Sequence, residues 1–208
     1  MPDSPGPAYR IETERLVIRC WQPTDAALLV AAVTESVDHL KPWMPWAHAE
    51  PQPLDVRIEN MRHWRAAFDT DKEYVYGVFD REETRCLGGT GLHERTGPDA
   101  LEIGYWVHVD YINRGLATEL SAALTRVAFE VNGVKRVEIH CDPANVRSAA
   151  VPRKLGFIHE ATLRGRMIEA DGSARDSMVW SMFADGYPES VCAAAELAAY
   201  DVVGRRIV

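Results

Sequence analysis

The sequence predicts one α/β domain, a central sheet with helices packed against it. Three observations carry that expectation. The hydrophobic period alternates along the chain between about two residues, as in strands, and about 3.6, as in helices. The second half reads strand, helix, strand, helix. A chain of 208 residues that is 47% hydrophobic fills one sizeable core and not two ordinary ones.

Taken in order, residues 1–10, with prolines at positions 2, 5 and 7, read as a flexible lead-in. The domain proper is expected over 11–184. Leu16, Val17, Ile18 and Cys20 in ETERLVIRCW form a first strand, which Pro23 and the capping pair Thr24 and Asp25 end before an alanine-rich helix from Ala26 to Val37. The loop KPWMPWAHAEPQP is too rich in proline for a helix, yet it carries Trp43, Met44 and Trp46. These three either wall a substrate pocket or cap the core. Ile58, Met61, Trp64 and Phe68 recur at helical spacing and place a second helix over 54–68.

Tyr74 to Phe79, Cys86 to Leu92 and Leu101 to Val109 are β-rich and divided by the turn-like DREETR and RTGPD, which predicts an antiparallel meander. Leu116, Leu120, Leu124, Val127 and Val131 share one stripe of a helix that Gly133 closes. Val137, Ile139 and Cys141 then alternate with Glu138 and His140 as a strand, and a short helix starts near Val146. That order implies a right-handed crossover with the two strands parallel. Phe157 to Ile168 and Ser177 to Phe183, joined around Asp171 and Gly172, form a closing hairpin. Residues 185–208, with the alanine-rich run SVCAAAELAAYDVV, make a C-terminal extension predicted to be helical.

Lys and Arg total 23 against 31 Asp and Glu, a formal charge of −8. Such a chain is not drawn to phosphate backbones or anionic membrane surfaces, so nucleic acid and membrane are not expected partners. No apolar run approaches the ~20 residues of a membrane span, and MPDSPGPAYR lacks the apolar segment of a secretory signal. A cytoplasmic protein is the expectation. Cys20, Cys86, Cys141 and Cys192 lie far apart without Cys-x-x-Cys, which points to free thiols and to no metal site.

The chemistry concentrates in EIGYWVHVDYINRGLATELSAALTRVAF, where a strand ends, a turn holds Gly115 and Ala117, and a long helix begins at once. Unpaired amides from Arg114 to Thr118, at the positive end of the helix dipole, suit a pyrophosphate without any basic cluster. A tight turn alone would also call for the glycine. GGTGLH lacks the third glycine of a dinucleotide fingerprint, and no Walker, zincin or nucleophile-elbow motif occurs.

VHVDYINRGLATEL and, further on, CDPANVRSAAVPRKLGF resemble the GNAT acetyltransferase superfamily in its RimJ/RimL-like branch. The likeness extends over residues 11–184 and includes ETERLVIR, the WMPW loop and LEIGYWV. It implies a mixed, splayed central sheet flanked by helices, with acetyl-CoA or another acyl-CoA as co-substrate in the opening, no metal, and an amine as acceptor. Carried onto this chain, it implies that Val107 and Val109 pair with pantetheine through their backbones. Arg114, Gly115, Leu116, Ala117 and Thr118 would hold the pyrophosphate, and Asn145 and Ser148 would lie beside the pantetheine and thiol. Asn145 is equally a good helix cap. Arg147, Arg153 and Lys154 are candidates for the 3′-phosphate, with a solvated helix face as the alternative.

Two positions depart from the family's pattern. Ile112 stands where Gln or Arg is usual, and Pro152 stands where a tyrosine often protonates the departing thiolate. Proline has no proton to give and removes the helix hydrogen bond to the Ser148 carbonyl. Ser148 becomes the candidate acid. Glu102, facing opposite to Leu101 and Ile103, is the candidate base and would line the acceptor pocket with Trp43, Met44 and Trp46; the alternative is an exposed strand carboxylate. His93, His108 and His140 lie in strand-like segments, with His108 nearest the expected cleft.

The expected reaction is direct acyl transfer to an amine in a ternary complex, without an acyl-enzyme. Neutralising a lysine of pKa ~10.4 at pH 7 costs about 4.6 kcal/mol, against about 1 kcal/mol for an α-amine near ~7.8. The acceptor is therefore expected to be the α-amine of a peptide or protein N-terminus, or a small amine. The alternative is a non-catalytic acyl-CoA-binding regulatory module, motivated by Ile112, Pro152 and the lack of an unambiguous base. A homodimer is compatible with either reading.

Overall fold

A computed structural model describes residues 6–169 and 171–208; residues 1–5 of the expected lead-in lie outside the described residues. The elements follow as β1 (Arg10–Glu12), β2 (Val17–Cys20), α1 (Ala26–Leu40), α2 (Leu54–Asp69), β3 (Tyr74–Phe79), β4 (Cys86–His93), β5 (Ala100–Val107), α3 (Leu116–Glu130), β6 (Arg136–Cys141), α4 (Val146–Leu155), β7 (Ile158–Ile168), β8 (Ala174–Phe183) and β9 (Ala198–Tyr200). The strands form one sheet in the order β7-β8-β6-β5-β4-β3-β2-β1-β9. β5 and β6 run parallel, as the crossover through α3 requires, and every other neighbouring pair is antiparallel.

Strand alternation builds a layer on each face. Leu16, Ile18, Tyr76, Val78, Leu92, Leu101, Ile103, Val137 and Ile139 pack with Leu120, Leu124 and Val127 of α3 and with Val151 and Leu155 of α4. Val17, Trp21 and Phe79 pack on the other side with Leu29, Ala32 and Val33 of α1 and Met61 of α2. The stripe read from the α3 sequence is thus its buried face.

One feature of the sheet positions the site. β5 and β6 pair only at Ala100↔Arg136, Leu101↔Val137 and Glu102↔Glu138. Beyond Glu102, β5 stays with β4 as far as Val107, while β6 stays with β8 as far as Cys141, so the sheet parts between them. The His108 amide donates to the Leu87 carbonyl at 2.8 Å. Pleat alternation then turns the backbone groups of Val107 and Tyr105 away from β4 and into the gap.

The expected helical tail is corrected by the structure. After a 3-10 turn at Tyr187–Glu189 the chain runs through turns into β9, which pairs antiparallel with β1 at the sheet's edge. Helix propensity is a weak preference and loses here to tertiary packing: Cys192 and Ala199 are fully buried, and the Tyr187 hydroxyl donates to Glu130 at 2.6 Å. A lone β1 would also present a bare edge, which β9 covers. Order likewise begins before Ile11, because Ala8 is buried and the Tyr9 amide donates to the Tyr200 carbonyl at 2.8 Å. Residues 6–9 and 185–208 therefore belong to the folded domain.

If β9 is integral, Ala199→Asp buries an unpaired carboxylate and should cost on the order of 3 kcal/mol in urea unfolding. A tail that only rests on the surface would lose less than about 0.5 kcal/mol.

Candidate active site

The α3 start is shaped by two left-handed residues, Asn113 at φ 59° and Gly115 at φ 81°. Glycine adopts that conformation without steric cost. The helix's first hydrogen bond runs from the Glu119 amide to the Gly115 carbonyl at 3.0 Å, which leaves the amides of Leu116, Ala117 and Thr118 without a helical partner. Arg15 braces the turn, donating to the Arg114 carbonyl at 2.8 Å and pairing with Glu119 at 2.5 Å. Glu119 also accepts from the Thr13 hydroxyl at 2.6 Å. The acid of the first helical turn is thereby neutralised, and the exposed amides keep their attraction for anions. The Arg114 guanidinium lies 5.0 Å from the centre of the Tyr111 ring. Ile112 is half-buried in an extended conformation between these parts, with no polar side chain to offer.

On the α3/α4 side of the gap stand Tyr105, Cys141, Ser148 and Trp180. Asn145 caps α4, its Oδ1 accepting from the Ser148 amide at 3.1 Å. The helix continues through Pro152, and the carbonyl that proline leaves without a donor is met from across the gap. The Tyr105 hydroxyl lies 3.3 Å from the Ser148 carbonyl and 3.0 Å from Ser148 Oγ. Burial pushes the Tyr105 phenol well above its usual range. Burial also pushes the Cys141 thiol up to about 11, although Ser148 and Trp180 beside it act the other way. Trp180 is buried, and its indole Nε1 has no hydrogen-bond partner among the described residues.

The α1/α2 side carries the charge. Glu102 is buried rather than solvated, and both its oxygens accept from Arg95, at 2.5 and 2.8 Å. Glu138, its register partner, is also buried and is held by Arg136 at 2.6 Å. His140 bridges the pair, 2.6 Å from Glu138 and 3.6 Å from Glu102. Burial pushes the Glu102 carboxyl upward, but the Arg95 hydrogen bonds and charge, helped by His140 and His93, bring it below its ordinary value. Arg95 thus holds Glu102 in its ionised form.

Beside this cluster the sheet is paved with glycine. A Cβ on Gly89 would stand 2.6 Å from Trp106 Nε1, and one on Gly91 2.7 Å from His93 Nε2. Those two rings lie across strand backbone that only glycine leaves bare. Trp46 is exposed and meets Trp106 edge-on at 6.2 Å, while the Trp43 carbonyl accepts from Arg175 at 3.4 Å. Trp43, Met44 and Trp46 stand outside both core clusters, so they do not cap the core.

Other expected residues sit elsewhere. Val109 does not extend the strand: it opens a 3-10 turn at Val109–Tyr111, and its amide is spent on Ser36 Oγ at 3.1 Å, because His108 caps that turn by accepting from the Asp110 amide at 3.2 Å. His108 is buried, with Nε2 at 3.0 Å from Glu35. Arg153 and Lys154 line a recess by Ser181 and Val191 at the far end of α4 from Ser148. Arg147 lies on the first turn of α4, near His39, at the same end as Ser148.

The acetyltransferase (GNAT) domain family matches residues 15–158, and this chain belongs to it. It is 25% identical over 181 residues to the [ribosomal protein uS5]-alanine N-acetyltransferase of Escherichia coli K12, covering 85% of this chain and 91% of that protein. The solved ribosomal-protein-S5-alanine acetyltransferase of Vibrio fischeri superposes with a TM-score of 0.75 at 19% identity, over 85% of this chain and 97% of that one. Mycobacterium smegmatis RimJ, solved in complex with CoA-disulfide, gives 0.73 at 24% identity, over 86% of each chain. The splayed mixed sheet is the fold these structures share. The protein is an N-acetyltransferase using acetyl-CoA, and the reading as a non-catalytic module is set aside.

The residues present fit that co-substrate: a strand edge open at Val107 and Tyr105, unpartnered amides at the α3 start, and an orphaned Trp180 donor beside the gap.

Because Glu102 has a folded-state pKa below that of the unfolded carboxylate, near ~4.3, it contributes stability above that pH and loses it as pH falls through the folded value. Glu102→Gln should therefore melt below wild type at neutral pH. The cost should be only about 1 kcal/mol, since the Arg95 side chain is 57% exposed. The difference should close below about pH 4 in a series of thermal melts.

Proposed function

We propose that this acetyltransferase modifies the α-amine at the N-terminus of a protein, with ribosomal proteins as the class of acceptor, in the cytoplasm. The observation that carries the reading is the parting of β5 from β6, which joins two chemically different faces of one sheet. The α1/α2 face gathers Glu102, Glu138 and His140 beside an aromatic loop, with each carboxylate paired to an arginine. The α3/α4 face gathers hydroxyls and thiol in less charged surroundings.

Bound acetyl-CoA supplies a thioester whose carbonyl carbon an uncharged amine can attack, with a thiolate leaving. Val107 and Tyr105 offer strand backbone to the pantetheine arm, and Leu116, Ala117 and Thr118 offer amides to the pyrophosphate, flanked by Arg114 and Gly115. Asn145 fixes the first turn of α4. Glu102 and Glu138, each held by an arginine, fix His140 at the closed end of the opening, and His140 takes the proton that must leave. Trp43, Met44 and Trp46 wall the approach.

Ser148 serves as a hydrogen-bond donor to the departing sulfur rather than as a full acid. A thiolate of pKa ~8.5 is too weak a base to strip a phenol of ~10, and still less an alcohol or a phenol raised further by burial. Stabilisation by a donor needs no such transfer.

The acceptor class draws support from the relatives whose printed names specify ribosomal-protein alanine. It also draws support from the formal charge of −8, which attracts basic polypeptide and repels nucleic acid. Thiol release from acetyl-CoA should proceed with peptides carrying a free N-terminal alanine. It should fall at least about tenfold with N-terminally blocked peptides whose only amine is a lysine side chain. Equal rates on the two sets would refute the α-amine preference.

A further inference from the structure

We propose that Tyr105 is a positioning residue of the acetyl-transfer site: its hydroxyl stands in for the helix donor that Pro152 lacks and so holds the Ser148 hydroxyl toward the opening between β5 and β6. The proposal rests on the transferase reading above.

In an α-helix the Ser148 carbonyl would receive the amide of residue 152, but a proline has none. A half-buried carbonyl needs a donor, and the one that reaches it comes from a strand on the other side of the gap. Ser148 is thereby held at three atoms. Its amide donates to Asn145 Oδ1 at 3.1 Å, its carbonyl faces the Tyr105 hydroxyl at 3.3 Å, and its Oγ lies 3.0 Å from that same hydroxyl. A serine held by its amide alone would sample its staggered rotamers freely.

Tyrosine carries one hydroxyl hydrogen, so the pair has two arrangements. In one, Tyr105 donates to the carbonyl and Ser148 donates to the Tyr105 oxygen. In the other, Tyr105 donates to Ser148 Oγ, and the serine hydrogen is free for an acceptor in the gap. Negative charge developing on a leaving sulfur selects the second arrangement, with no net proton transfer and no movement of heavy atoms. Tyr105 belongs to β5, which β4 holds along its length, so the hydroxyl is fixed by the sheet rather than by α4.

The test is a pair of mutant cycles. Tyr105→Phe should lower kcat about tenfold while leaving KM for acetyl-CoA and the calorimetric affinity for CoA unchanged. Ser148→Ala should lose at least as much, and Tyr105→Phe added to it should cost nothing further. An unchanged kcat in Tyr105→Phe, or an equal loss in both backgrounds, overturns the proposal. The second cycle needs no turnover. Tyr105→Phe should lower Tm by about 3 °C, and the loss should at least halve in a Pro152→Ala background, where the Ser148 carbonyl regains a helix donor. Equal Tm losses in the two backgrounds overturn the link to Pro152. Wild-type protein that released no thiol with any amine would count against the transferase reading alone, because the thermal cycle would still report on Tyr105.

Discussion

The whole arrangement depends on the last rung between β5 and β6. There the register sets Glu102 directly opposite Glu138, two buried carboxylates that would drive the strands apart if left alone. Arg95 holds one, Arg136 the other, and His140 lies between them. The last rung is held by charge compensation, and immediately beyond it the strands separate. The closed end of the opening is therefore also a place where paired charges gather.

A sheet that stays zipped at one end and open at the other solves a geometric problem. A long co-substrate needs hydrogen bonds along its length, and its reacting bond needs access from both sides. The backbone of β5 left unpaired beyond Glu102 suits the first need, and the parting of β5 from β6 suits the second. The two faces at the opening differ in character, one carrying carboxylates, arginines and a histidine and the other hydroxyls and an indole.

Periodicity made much of this legible in the amino-acid sequence. The α3 stripe, the meander and the parallel crossover all follow from the spacing of apolar residues, because burial dictates that spacing. The turn at Gly115 was legible too, since a small residue at a strand-to-helix junction has few other uses. What escaped was set by partners distant in the chain. Glu102 looks like a free strand carboxylate until Arg95 and Glu138 are brought beside it. Tyr105 passes for one more core aromatic, and the signal that singles it out is indirect: Pro152 announces a carbonyl in need of a donor without saying where the donor comes from. The tail misled because alanine favours helix locally, whereas a vacant sheet edge decides the matter globally.

The pairing of β9 with β1 has a kinetic side. β1 is made before every other strand of the sheet, and its outer neighbour β9 only after them all. Until β9 is made, one margin of the growing sheet stays uncovered and open to foreign strands, so exposure to aggregation persists until β9 joins β1.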